Sequence, residues 1–152
     1  MSVRRAAEFT RRFVPGLWAG VLLCIALVAT PAPFATLAQA DAGRVVARIF
    51  AQEAWLSLGL GGLLLMLERR RAAEAAETGQ GSQFSLEMGL ALAALGATVL
   101  GYYGLQPMMA AAKAGQPTPL GFGALHGLSF GLFGLKALAV LALAWRAVRQ
   151  GR

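Results

Sequence analysis

The sequence predicts an all-α integral membrane protein, a compact bundle of four transmembrane helices in a single domain. Three observations predict it. Of the 152 residues, 57% are hydrophobic and only 14% are charged, too few charges to cover a soluble domain of this size. The apolar residues gather into four runs, at about 13–30, 51–67, 84–106 and 124–145, each near the length that crosses a bilayer core at about 1.5 Å per residue. The basic residues stand outside those runs in short clusters, as positive flanks of membrane spans do.

The net charge of +7 raises nucleic-acid binding as a function class, but no basic face interleaved with aromatics supports it. The lipid bilayer is the expected surrounding instead. Cys24 is the single cysteine, which excludes an internal disulfide and a CxxC metal site. Inside an apolar run it reads as a small buried residue rather than a reactive thiol.

Met1 to Arg12 is polar and basic, with Arg4, Arg5, Arg11 and Arg12. In the first span Pro15 falls in the opening turn, where a missing N–H costs little. Gly16, Gly20 and Cys24 recur every four residues, a small-residue stripe suited to close helix contact and expected, like those of the third and fourth spans, to face the bundle interior. The basic start, apolar core and Leu37-Ala38-Gln39-Ala40 also resemble a secretory signal; the apolar run exceeds most signal cores, and a retained helix is expected. Pro31 and Pro33 end that helix. Leu37 to Phe50 is mildly amphipathic, and either a short interfacial helix between the first two spans or a solvated connector fits it.

The second span carries Glu53, Ser57 and Gly61 on one face and stops at Glu68 and the Arg69-Arg70-Arg71 cluster. A polar, flexible loop to Gln83 follows. The third span, closed by Pro107, has the stripe Gly89, Ala93, Ala97 and Gly101, with Glu87 one turn inside and Tyr102 and Tyr103 as interface anchors. The fourth span contains His126, Ser129 and Lys136, and the glycines Gly123, Gly127 and Gly131; Arg146, Arg149 and Arg152 trail it. Ten of the fourteen Lys and Arg fall on the side of the N-terminus, second loop and C-terminus. The positive-inside rule then puts both termini in the cytoplasm of a bacterial inner membrane.

This layout sets up two polar groupings. Glu53 and His126, with Gln106 and Ser129 nearby, are expected near the outer surface, where they either bind a proton or cation or satisfy one another. Lys136 lies too deep to snorkel, and Glu87, entering from the cytoplasmic side, is its expected partner in an intramembrane ion pair. No metal site is expected, because a lone histidine has no second imidazole and no fixed ligand spacing. Met108 and Met109, at a helix end, read as interfacial packing. Haem ligation would rest on His126 alone, so no cofactor is expected. No nucleophile–base pair, phosphate loop or catalytic carboxylate pair appears, and the chain is not expected to be an enzyme.

The run Leu125-His126-Gly127-Leu128-Ser129, opening the terminal apolar helix, resembles domain-of-unknown-function family 4149, also called transmembrane protein 205-like. Gly16-Leu17-Trp18-Ala19-Gly20 followed by Pro31 is similar too, as is the four-span layout. Phe133 stands where relatives often carry an Asn, one turn beyond the Ser. The resemblance implies the four-span fold but names no reaction. A structural, assembly or partner-binding membrane subunit is therefore the expected function, acting on another membrane protein or on itself through glycine-rich helix faces. A small transporter or ion-coupled carrier using the polar interior is the alternative.

Overall fold

The computed structural model describes residues 3–150; Arg152 of the basic tail lies outside them. No strand occurs among the described residues. The chain is all-helical, with four helices long and apolar enough to span a membrane: α1 (Val3–Thr36), α2 (Gln39–Glu77), α3 (Leu86–Lys113) and α4 (Phe122–Arg149). Each outruns its apolar run, because hydropathy marks the part suited to lipid while the helix continues until a breaker stops it. Before the first apolar run, Glu8 pairs with Arg11 and Arg12 one turn on, the spacing that supports an exposed helix.

Helix α2 shows the effect most clearly. Its 39 residues reach about 58 Å, against a bilayer core of about 30 Å. Residues 39–50 are therefore the opening turns of α2, not a separate interfacial helix or a solvated connector. The segment after Glu68 is helical too, up to Glu77. The break comes at Gly79, whose φ of +69° is a left-handed conformation open to glycine. Ser85 then caps α3, its Oγ accepting the Met88 N–H at 3.2 Å.

Two expected proline stops are passed rather than obeyed. Proline removes one backbone donor and crowds the carbonyl four residues earlier. Ahead of Pro31 the helix widens into a π-helical stretch, Ile25–Ala29, and Thr30 N–H donates to Ile25 O at 2.9 Å. Ahead of Pro107 a second π stretch spans Val99–Gly104. The wider turn shifts the hydrogen-bonding register before the ring arrives, so α1 runs on to Thr36 and α3 to Lys113. Pro15 lies well inside α1, buried, rather than in its first turn.

The helices alternate in direction and pack in a ring: α1 lies against α2 and α4, and α3 lies against α2 and α4. Across the diagonals, no Cα of α1 comes within 8 Å of α3, and none of α2 within 8 Å of α4. Side chains fill that middle. Trp18, Leu22, Leu64, Ala94, Ala139 and Val140 form the buried core. Gly61 lets α2 approach its neighbours: a Cβ built there would stand 2.7 Å from Leu95 Cδ2 and 3.1 Å from Trp18 Cη2.

Two of the three small-residue stripes expected to face the bundle interior point outward instead. Gly16, Gly20 and Cys24 are exposed, as are Gly123, Gly127 and Gly131, and a Cβ on any of these five glycines would meet nothing within 4 Å. The reason is angular. At about 100° per residue, Gly20 lies about 160° around α1 from the buried Trp18, and Gly127 about 180° around α4 from the buried Lys136. The α3 stripe is mixed: Ala97 is buried and a Cβ built on Gly101 would stand 3.6 Å from Leu132 Cβ, while Ala93 is exposed.

Candidate functional site

The middle of the ring holds a buried polar chain contributed by three helices. Glu53, Ser57 and Gly61 follow one another at four-residue intervals on α2, so their side chains share the inward face. From α4, Lys136 Nζ donates to both carboxylate oxygens of Glu53 at 2.7 Å. Ser57 Oγ donates to Glu53 Oε1 and accepts from Trp18 Nε1 of α1 at 2.9 Å. Each polar member is nearly sealed: Lys136 and Glu53 are 4% exposed, Ser57 is 1% and Trp18 is 0%. The Phe133 ring centroid lies 5.0 Å from Lys136 Nζ, a cation–π distance.

Because α2 and α4 occupy opposite corners, the ion pair crosses the diagonal and links two helices that have no Cα pair within 8 Å. The chain Trp18–Ser57–Glu53–Lys136 leaves no polar member without a partner. Burial of two opposite charges is tolerated when geometry and additional hydrogen bonds are this complete. Chemically, the pair is neutral as a unit, and its short contacts permit a proton to pass between ammonium and carboxylate with little movement of heavy atoms.

Lys136 thus pairs with Glu53, not with Glu87 as the sequence suggested. The error came from the start of the second helix. With α2 beginning at Gln39, Glu53 stands about 21 Å along it, deep in the ring rather than near its outer edge. Glu87 lies at the end of the ring where the termini meet. Its Oε1 accepts from Arg146 Nε at 2.9 Å and from Gln150 Nε2 at 2.7 Å. Arg146 is ten residues past Lys136, about 15 Å farther along α4, so Glu87 is out of reach of the lysine.

The expected grouping of Glu53 with His126, Gln106 and Ser129 is likewise separated. His126 precedes Lys136 by ten residues, about 15 Å toward the far end of α4. It is exposed and stacks on Phe122 with centroids 5.8 Å apart. Ser129 and Gln106 are half-buried. Among the described residues, no group of three or more His, Cys, Asp or Glu side chains could hold a metal ion.

Sequence reasoning missed a second network, which ties all four helices together at the termini. Arg11 of α1 donates to Glu68 Oε1 of α2 at 3.2 Å, to Gln150 Oε1 beyond α4 at 2.9 Å, and to its own-helix neighbour Glu8. Gln150 continues the network to Glu87 of α3. The available signal was positional: Glu68 borders the second apolar run and Glu87 lies one turn inside the third, both at the end where the basic clusters gather. Such an acid at the rim of a span needs a basic partner from another helix.

The family model for a domain of unknown function (DUF4149) matches residues 13–117. The match takes in Trp18, Glu53, Ser57, Glu68 and Glu87. It stops short of α4, so Lys136 and the Leu125–Ser129 run stand outside it. No curated protein and no solved structure matches the chain. With the matched residues filling well over half of its length, the chain belongs to the DUF4149 family.

Proposed function

We propose that the chain is a multi-pass protein of a bacterial inner membrane, with both termini in the cytoplasm, and that it serves as a structural or assembly subunit rather than an enzyme. The observation that carries this reading is the exposure of the glycine faces of α1 and α4. Gly16 and Gly20 on one helix, and Gly123, Gly127 and Gly131 on the other, spend no contact on the chain's own interior. Small residues in a lipid-facing position allow another helix to approach closely and gain packing energy that lipid tails do not supply. The partner is a membrane protein, either another chain or a second copy of this one.

Cross-linking in native membranes tests it. The wild-type chain is expected to give a discrete higher-mass species that Gly20→Leu and Gly127→Leu each diminish severalfold, while the melting temperature of the purified chain stays unchanged. A cross-linked species indifferent to both substitutions would remove the basis of the proposal. Orientation has its own expected outcome: single cysteines placed at Arg70 and Arg149 are modified by membrane-impermeant reagents only after the cytoplasmic face is opened. Labelling of either from outside intact cells contradicts the topology.

A second reading, an ion-coupled carrier, draws on the buried Lys136–Glu53 pair, since ionisable groups inside a membrane commonly mark ion or proton pathways. It requires flux in proteoliposomes that Lys136→Met abolishes.

A further inference from the structure

At the end of the ring where the termini lie, a cavity of about 240 Å³ opens beside the Arg11–Gln150 network. Its polar lining comes from Glu68 and Arg71 of α2, Ser82 and Ser85 of the connecting loop, and Glu87, Arg146 and Gln150. The lining joins two acids to two bases, and one of the acids is incomplete. Glu68 is 3% exposed. Its Oε1 accepts from Arg11, but its Oε2 is buried without a hydrogen-bond partner; Arg71 Nη1 stands 3.5 Å from it, too far for a good hydrogen bond. A buried carboxylate oxygen lacking a donor is costly.

The opposite charges are also only partly used. Arg71 keeps a 46% exposed side chain and Arg146 one of 39%, each with further N–H groups to offer. Ser82 and Ser85 each accept a backbone N–H, from Phe84 and Met88, which leaves both hydroxyl protons to donate. The cavity therefore presents an acceptor that needs a donor beside a set of donors that needs an anion. The apolar part of α2 ends one residue before Glu68, and Arg69, Arg70 and Arg71 follow at once. On the membrane reading, that is the depth of lipid phosphates.

We propose that this cavity binds a phosphoethanolamine group, its primary ammonium donating to Glu68 and Glu87 and its phosphate accepting from Arg71, Arg146 and the two serine hydroxyls. The room suits it: about 240 Å³ holds about eight water-sized groups. A quaternary ammonium has no N–H to give Glu68, and a phosphate without an amine leaves that oxygen unanswered, so the site discriminates by chemistry rather than by charge alone. The group could arrive as the headgroup of an aminophospholipid or as the free zwitterion.

The test titrates the full purified chain in mild detergent with short-chain phosphatidylethanolamine, phosphatidylcholine and phosphatidylglycerol, and separately with free phosphoethanolamine, reading the melting temperature. Phosphatidylethanolamine is expected to bind about tenfold tighter than either of the other lipids, a difference of about 1.4 kcal/mol. Glu68→Gln is expected to erase that preference, and Arg71→Met, which removes a phosphate contact common to all three lipids, to weaken phosphatidylethanolamine binding severalfold. Arg71 is on the surface and its loss leaves the helix network intact, so the weakening of phosphatidylethanolamine binding in Arg71→Met decides the matter should Glu68→Gln fail to fold. Stabilisation by free phosphoethanolamine identifies a soluble ligand; stabilisation by the lipid alone identifies the headgroup. Equal binding of phosphatidylethanolamine and phosphatidylcholine, equal binding of phosphatidylglycerol, or an affinity for phosphatidylethanolamine that Arg71→Met leaves unchanged overturns the proposal.

Discussion

Lys136→Met is expected to destabilise the chain by about 3–5 kcal/mol, the usual range for removing one member of a buried ion pair. The substitution keeps the length and bulk of the side chain, so the loss arises from the charge left behind. Glu53 would retain only the Ser57 hydroxyl, in a place where it is 4% exposed and water cannot replace the ammonium. Helices α2 and α4 would also lose the link that spans their diagonal. His126→Ala serves as the contrast. His126 is exposed and outside the polar chain, so its loss should stay within about 0.5 kcal/mol. Reversible unfolding in mixed micelles measures both; equal stability of the two variants would contradict the geometry.

Gly61→Val is expected to cost about 1–3 kcal/mol or more. The new Cβ alone would lie 2.7 Å from Leu95 Cδ2 and 3.1 Å from Trp18 Cη2. Leu95 can turn aside, but Trp18 is fully buried and anchored by its hydrogen bond to Ser57. Crowding at Gly61 therefore strains the polar chain as well as the apolar core. Gly127→Ala should behave in the opposite sense. Its Cβ meets nothing within 4 Å, and alanine favours a helix over glycine by about 0.5–1 kcal/mol. Thermal melts in one detergent compare the two, and a stable Gly61→Val variant would mean that α2 does not approach α1 and α3 as described.

The fold class was legible because it rests on run lengths and flanking charge, which the bilayer dictates directly. Helix ends were not. Residues 39–50 are too polar to register as a membrane span, yet contain nothing that stops a helix, and the missing turns displaced Glu53 by about half a span. The whole error in pairing Lys136 follows from that one boundary. The inward face of α2 was readable, since Glu53, Ser57 and Gly61 share it. Periodicity could not say which way the glycine stripes of α1 and α4 face: small residues favour close contact whether the neighbour lies inside the chain or beyond it. Trp18 stands between Gly16 and Gly20, and nothing in the sequence connects its indole N–H to a serine 39 residues away.

The polar chain that locks α2 to α4 is tested most directly by a double-mutant cycle on Lys136→Met and Glu53→Gln, with Lys136→Met and Glu87→Gln as its parallel. Glu53 and Lys136 are expected to be strongly coupled: the double variant should be far less destabilised than the two single losses added together, because no charge is left unpaired. Glu87 and Lys136 should add within about 0.5 kcal/mol. Additive losses at Glu53 and Lys136, or coupling that appears at Glu87 instead, would contradict the diagonal ion pair.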